Sequence, residues 1–138
     1  MILKTQKLCM EVILITVLCI FLTSCIGPGQ NDWSYELPND YAVWHVNADK
    51  INIVYTGNGS ADEILSFVNE FAYDDRYVFA KSEKDTSNEI CYILDTTERK
   101  MVKSFETLDE MVLYCEKHDI EAPDFWYETS ADPNTVDK

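Results

Sequence analysis

One sulfur carries the clearest chemistry in this chain. Cys25 follows Leu22-Thr23-Ser24 at the end of an apolar run. Its thiol can form a thioether to a diacylglyceryl group, and the small Thr23 and Ser24 leave room for a peptidase to cut on its amino side. The remaining candidates for chemistry are sparse. His45 and His118 are the two histidines. Asp40 and Asp49 lie near His45 in sequence, but no Gly-x-Ser-x-Gly, His-x-x-x-His or glycine-rich phosphate loop supplies a nucleophile or a cradle. A lone histidine on a sheet face is then expected to be structural. Adjacent Asp74 and Asp75 belong at a turn tip, not across a cleft where an acid and a base must face each other. Cys91, Cys115, His45 and His118 show no zinc-ligand spacing. Asp74, Asp75, Asp85 and Asp95 lack the Asp-x-Asp-x-Asp-Gly loop that organises calcium. No metal, cofactor or catalytic residue is expected in the body.

The residues before Cys25 follow the order of a secretory signal: Lys4 and Lys7, then apolar Val12 to Leu22, then small side chains. As a helix that apolar run reaches about 16 Å against a hydrocarbon core of about 30 Å, so it can enter a translocon but makes a poor anchor. With Gly27-Pro28-Gly29 behind it, Leu22-Thr23-Ser24-Cys25 resembles the lipobox of bacterial lipoproteins. The resemblance implies a signal peptide over 1–24, lipid attachment (palmitate-type chains) at Cys25, a tether over 25–32, and a place on the outer, extracytoplasmic face of the cell membrane. Two or three acyl chains, at about 0.8 kcal/mol per buried methylene, exceed the two signals that stable attachment needs.

Cleavage before Cys25 leaves one domain of ordinary size, with nine basic against 24 acidic residues and a formal charge of −15. Such a body repels polyanions and has no Lys/Arg stripe to release counterions, which excludes nucleic-acid binding. An anionic bilayer repels it too. The tether reaches about 15 Å as a flexible coil, about two Debye lengths, so the domain stands close to the membrane without lying on it.

The elements follow from periodicity. Trp33 to Leu37, Tyr41 to Val46 and Ile51 to Tyr55 alternate as strands around Pro38-Asn39-Asp40 and a second turn. Residues 61–72 read two ways. Ser60-x-x-Glu63 is a capping box ahead of Ile64, Leu65, Val68, Phe71 and Ala72 on one helical face, while Phe67–Tyr73 and Tyr77–Lys81 flank Asp74-Asp75-Arg76 as two strands flank a turn. Residues 90–94 and 101–105 make a hairpin. Thr107-x-x-Glu110 then starts a helix with Leu108, Met111, Val112 and Cys115 as its inward stripe. Cys91 and Cys115 are expected as two small core residues, with a disulfide as the alternative. The sum is an α+β domain over 33–120, a small antiparallel β-sheet with a C-terminal α-helix packed on one face, followed by a polar, disordered tail over 121–138. Most of Trp33, Tyr35, Tyr41 and Trp44 are needed for the core. Trp126 and Tyr127, beyond the helix, are the candidate partner contacts.

Asp32-Trp33-Ser34-Tyr35-Glu36-Leu37-Pro38-Asn39-Asp40-Tyr41 after the lipobox, then Tyr73-Asp74-Asp75-Arg76-Tyr77-Val78, then Tyr92-Ile93-Leu94-Asp95-Thr96 before the helix, is similar to a family of small lipoproteins. Its members come from Firmicutes and related bacteria and are grouped as a domain of unknown function. The resemblance covers most of residues 22–120 and implies export, attachment, and two strands over Phe67–Lys81. It implies no activity. The expectation is a membrane-anchored surface lipoprotein whose non-enzymatic body binds a protein or a cell-wall component. The competing expectation is an acidic immunity or inhibitor protein against a basic toxin or cell-wall hydrolase.

Overall fold

Bulky residues alternate with polar ones from Trp33 onward, and in the computed structural model that alternation becomes a run of antiparallel strands. The structure describes residue 6 and residues 32–47, 50–83 and 88–136. Cys25, the signal peptide and nearly all of the tether therefore lie outside the described residues. The chain divides into two units, Met1–Gln30 and Asn31–Lys138, and every strand below belongs to the second.

Strands β1 (Trp33–Leu37), β2 (Tyr41–Asn47), β3 (Lys50–Tyr55) and β4 (Asp62–Ser66) form one antiparallel sheet in chain order. Strands β5 (Val68–Tyr73), β6 (Tyr77–Glu83), β7 (Glu89–Asp95) and β8 (Lys100–Phe105) form a second, with a short β9 (Tyr127–Glu128) on its far edge, in the order β8-β7-β6-β5-β9. Helix α1 (Leu108–Lys117) follows β8. Phe67 alone joins β4 to β5, and its φ of 59° turns the chain from one sheet to the other.

The two sheets pack face to face. Leu37, Tyr41, Val43, Ile53 and Tyr55 of the first meet Val68, Phe71, Val78, Ala80 and Leu94 of the second. The opposite face of the second sheet carries Ala72, Phe79, Cys91, Ile93 and Phe105, and there Met111 and Cys115 of α1 pack on it. Residues 78–80 show the reason: Val78 and Ala80 face the first sheet, Phe79 faces the helix, and all three are buried. A strand apolar on both faces must be covered on both.

The domain is α+β and rich in sheet. Among the described residues nine strands in two sheets replace the single small sheet expected, because the strands of the first half have a core face of their own that only a second sheet covers. Nor is the helix the last element. Residues 121–136, expected to be a structureless tail, contain β9 and a 3₁₀ turn at Pro133–Thr135. Tyr127, Thr129 and Pro133 are buried there. Thr129 donates its hydroxyl to the carbonyls of Val68 (2.8 Å) and Asn69 (2.9 Å), and Asn134 reaches the Ser34 carbonyl at 3.0 Å. Backbone pairing with β5 and one buried ring order a segment whose composition is polar. Residues 62–66 and 68–73 are strands, so the capping-box reading of Ser60-x-x-Glu63 gives way: Glu63 instead accepts from Asn52 of β3 at 2.9 Å and pairs with Lys50 at 3.2 Å.

Candidate functional site

Three turns carry the most concentrated polar chemistry. Asn39 and Asp40, with φ of 59° and 67°, form the tight turn between β1 and β2. The Asn39 amide donates to Thr96 Oγ1 at 2.8 Å and to the Asp75 carbonyl at 3.3 Å. Thr96 donates its hydroxyl (2.6 Å) and its amide (2.9 Å) to the Arg76 carbonyl. Arg76 in turn donates through Nε (3.0 Å) and Nη2 (2.7 Å) to Asp95 Oδ2, while Asp95 Oδ1 accepts the amides of Thr97 (3.1 Å) and Glu98 (2.9 Å). Asp74 Oδ1 accepts the amides of Arg76 and Tyr77. The Asn39 turn of one sheet is thereby tied to two turns of the other.

Burial alone would push the Asp95 carboxyl up. The Arg76 guanidinium and the amides of Glu98 and Thr97 outweigh it, and the pKa falls below the usual carboxylate range. Asp95 stays charged with both oxygens engaged, which makes it a clamp and leaves no lone pair poised for proton transfer. The motifs quoted from the turns at Asn39, Asp74-Asp75-Arg76 and Asp95-Thr96 therefore converge in space, and their shared role is to close one end of the sandwich.

His45 and His118 are kept apart by the second sheet. His45, in β2, stacks on Trp33 with ring centroids 5.4 Å apart, and its Nδ1 lies 3.9 Å from Asp32 Oδ1. His118 caps α1, stacks on Tyr114 at 3.9 Å, and holds the Tyr114 carbonyl at 2.9 Å. No serine or cysteine hydrogen-bonds to either among the described residues.

Lys81 is a buried lysine on the helix side of β6. Its Nζ lies 2.9 Å from Glu70 Oε2 and 3.9 Å from Glu89 Oε1, and it sits 4.5 Å from the centre of the Trp126 ring. That ring is half-buried against the second core, and Tyr127 is buried between the sheets, stacked on Phe71 at 5.1 Å. Both expected partner contacts thus serve internal packing, because β9 draws the segment onto β5. Cys91 and Cys115 are free buried thiols in the helix-side core. Burial pushes both pKa values up, which suppresses the reactive thiolate.

Between β8 and α1 runs an open groove of about 460 Å³ lined by Lys103, Phe105, Glu106, Glu110, Leu113 and Tyr114, with Ser104 at its strand wall. Met111 and Cys115 of the predicted stripe are buried, whereas Leu108 and Val112 are exposed. Leu113, outside that stripe, is 64 % exposed at the groove. An apolar residue on the polar face of a helix is the one sequence signal that could have marked this surface. The opposing wall is set by how α1 docks.

Among the described residues no group of three or more His, Cys, Asp and Glu side chains could hold a metal ion, and no helix is long and apolar enough to cross a membrane. No protein-family model, curated protein or solved structure matches the chain.

Proposed function

We propose that the protein is a membrane-anchored lipoprotein of the outer, extracytoplasmic face whose acidic body is a non-enzymatic binding module. The observation that carries the reading is Thr23-Ser24-Cys25 closing an apolar run too short to span a bilayer, behind Lys4 and Lys7. Lipid on Cys25 is the anchor. The resemblance to small lipoproteins of unknown function belongs to the same proposal and rests on the residues quoted for it. The body supports a binding role in two ways. Its polar clusters are engaged in holding turns and edges, and the open groove between β8 and α1 offers rings and a lysine for contact. The test is mass spectrometry of the membrane fraction. A diacylglyceryl adduct on an amino-terminal Cys25, lost to the soluble fraction in Cys25→Ser, supports the reading; a soluble product beginning elsewhere overturns it.

The formal charge of −15 on residues 25–138 favours a second reading, an acidic inhibitor of a basic toxin or hydrolase. That complex forms by charge-steered association, so its on-rate falls steeply between low and high salt, whereas ring-dominated recognition changes little.

A further inference from the structure

We infer that the free edge of β8 and the groove beside it bind an extended peptide segment by strand addition, with a carboxylate side chain of that segment seated on Lys103. The inference rests on the binding-module reading and names its partner class. β8 ends its sheet: β7 pairs with one side of it, and among the described residues no strand pairs with the other. The outward main-chain groups of β8 are thus a template for one more strand.

Beside that edge, the groove has the chemistry to read side chains. Lys103 lies opposite Ile93 of β7, on the face of the sheet that α1 covers. Its Nζ is held 5.4 Å from the Phe105 ring centre and 5.5 Å from that of Tyr114. Among the described residues it makes no ion pair, as is also true of Arg99, Lys100 and Lys117, whereas Lys50, Arg76 and Lys81 each have a carboxylate within reach. Tyr114 is braced from both sides, by Phe105 at 5.2 Å and His118 at 3.9 Å. Leu113 supplies apolar surface at the rim. In an added strand, alternate side chains fall on the α1 side. One of them meets the ammonium and its neighbour two positions on meets the rings.

Charge decides which peptide fits. Lys103 is the basic group of the groove, and it forms no ion pair with Glu106 or Glu110, the two carboxylates that also line it. Glu110 is committed to the helix start, where it accepts the Glu106 amide at 3.2 Å. A peptide with a single carboxylate among apolar residues gains the Lys103 contact. A lysine in that place meets a like charge, and a polyacidic peptide meets the repulsion of the whole body.

The experiment uses the full chain in detergent micelles and a fluorescein-labelled acetyl-Ser-Val-Glu-Thr-Val-Ser amide, in which Glu and the second Val share a face, read by anisotropy. Three comparison peptides replace Glu by Lys, replace it by Gln, or carry N-methyl groups on alternate amides. The expected result is that the Glu peptide binds about five-fold or more tighter than the Lys peptide, with Gln between them. N-methylation abolishes binding, Lys103→Glu inverts the preference, and Lys50→Ala on the other sheet leaves it unchanged. Hydrogen exchange slows over residues 100–105 when the Glu peptide is bound. No binding up to about 1 mM, a smaller Glu-to-Lys ratio, or indifference to N-methylation overturns the inference. Lipid at Cys25 does not enter this measurement, so its failure is distinct from failure of the anchoring test.

Discussion

Asp95 shows how one side chain can hold several turns. It is 2 % exposed, and it keeps its charge because Arg76 and two amides face it. Asp95→Ala leaves the Arg76, Thr97 and Glu98 donors of two turns without their acceptor, and because those donors can reach water the expected loss is about 1 to 2 kcal/mol of unfolding free energy in urea. Its folded pKa lies below the unfolded value of about 3.9. The stabilisation is therefore fully present above that unfolded value and is lost as pH falls through the folded one. Asp95→Asn should flatten the acid limb of a stability-against-pH curve, which chemical denaturation at stepped pH would show. Tyr35 shifts the other way: burial, with hydrogen bonds to Tyr127 and Tyr73, pushes its phenol far up. Its contribution is complete below about pH 10 and declines as the phenol is forced to ionise in stronger alkali.

At the level of elements, the start of helix α1 was legible in the sequence, and its closure at the other end came from the structure. Thr107 accepts the Glu110 amide at 3.2 Å, as its capping box requires. At the other end Asp119 sits at φ 55°, its amide reaches the Glu116 carbonyl at 3.4 Å, and the Ile120 amide returns to the Cys115 carbonyl at 2.9 Å, a Schellman closure. Glycine adopts that left-handed conformation without a Cβ penalty, so Asp119→Gly is expected to raise stability by about 0.5 to 1 kcal/mol, read as a higher melting temperature. The β9 segment was not legible. Its two paired residues are too few for a periodicity, and their order comes from Tyr127 entering the ring cluster of Tyr35, Phe71 and Tyr73. Tyr127→Ala should cost about 3 kcal/mol and expose the β5 edge, seen as earlier unfolding and faster exchange over 68–73. Residues 61–66 read two ways for a related reason. Ser60-x-x-Glu63 satisfies a helix start locally, but Asn52 and Lys50 of the neighbouring strand claim Glu63 instead.

Over the whole molecule, charge works against compactness. A body of formal charge −15 repels itself, and added salt screens that repulsion. Thermal midpoints should therefore rise between low salt and about 0.5 M sodium chloride. A midpoint that falls would mean that ion pairs such as Arg76–Asp95 and Lys81–Glu70 dominate over the field of unpaired carboxylates. What sets Lys103 apart on that surface is its place between the Phe105 and Tyr114 rings.

By itself the sequence determined most of the strands, the tight turns, helix α1 and its amino-terminal cap, the acidity of the body and the thiol at Cys25, since each depends on residues close together in the chain. Only the tertiary structure decided that the strands divide into two facing sheets, that the Asn39, Arg76 and Asp95 turns meet, that Tyr127 is core, and that Lys103 and Tyr114 share a groove. Those outcomes depend on which apolar faces find each other across long stretches of chain. Local periodicity shows that a face must be buried and leaves open what will cover it.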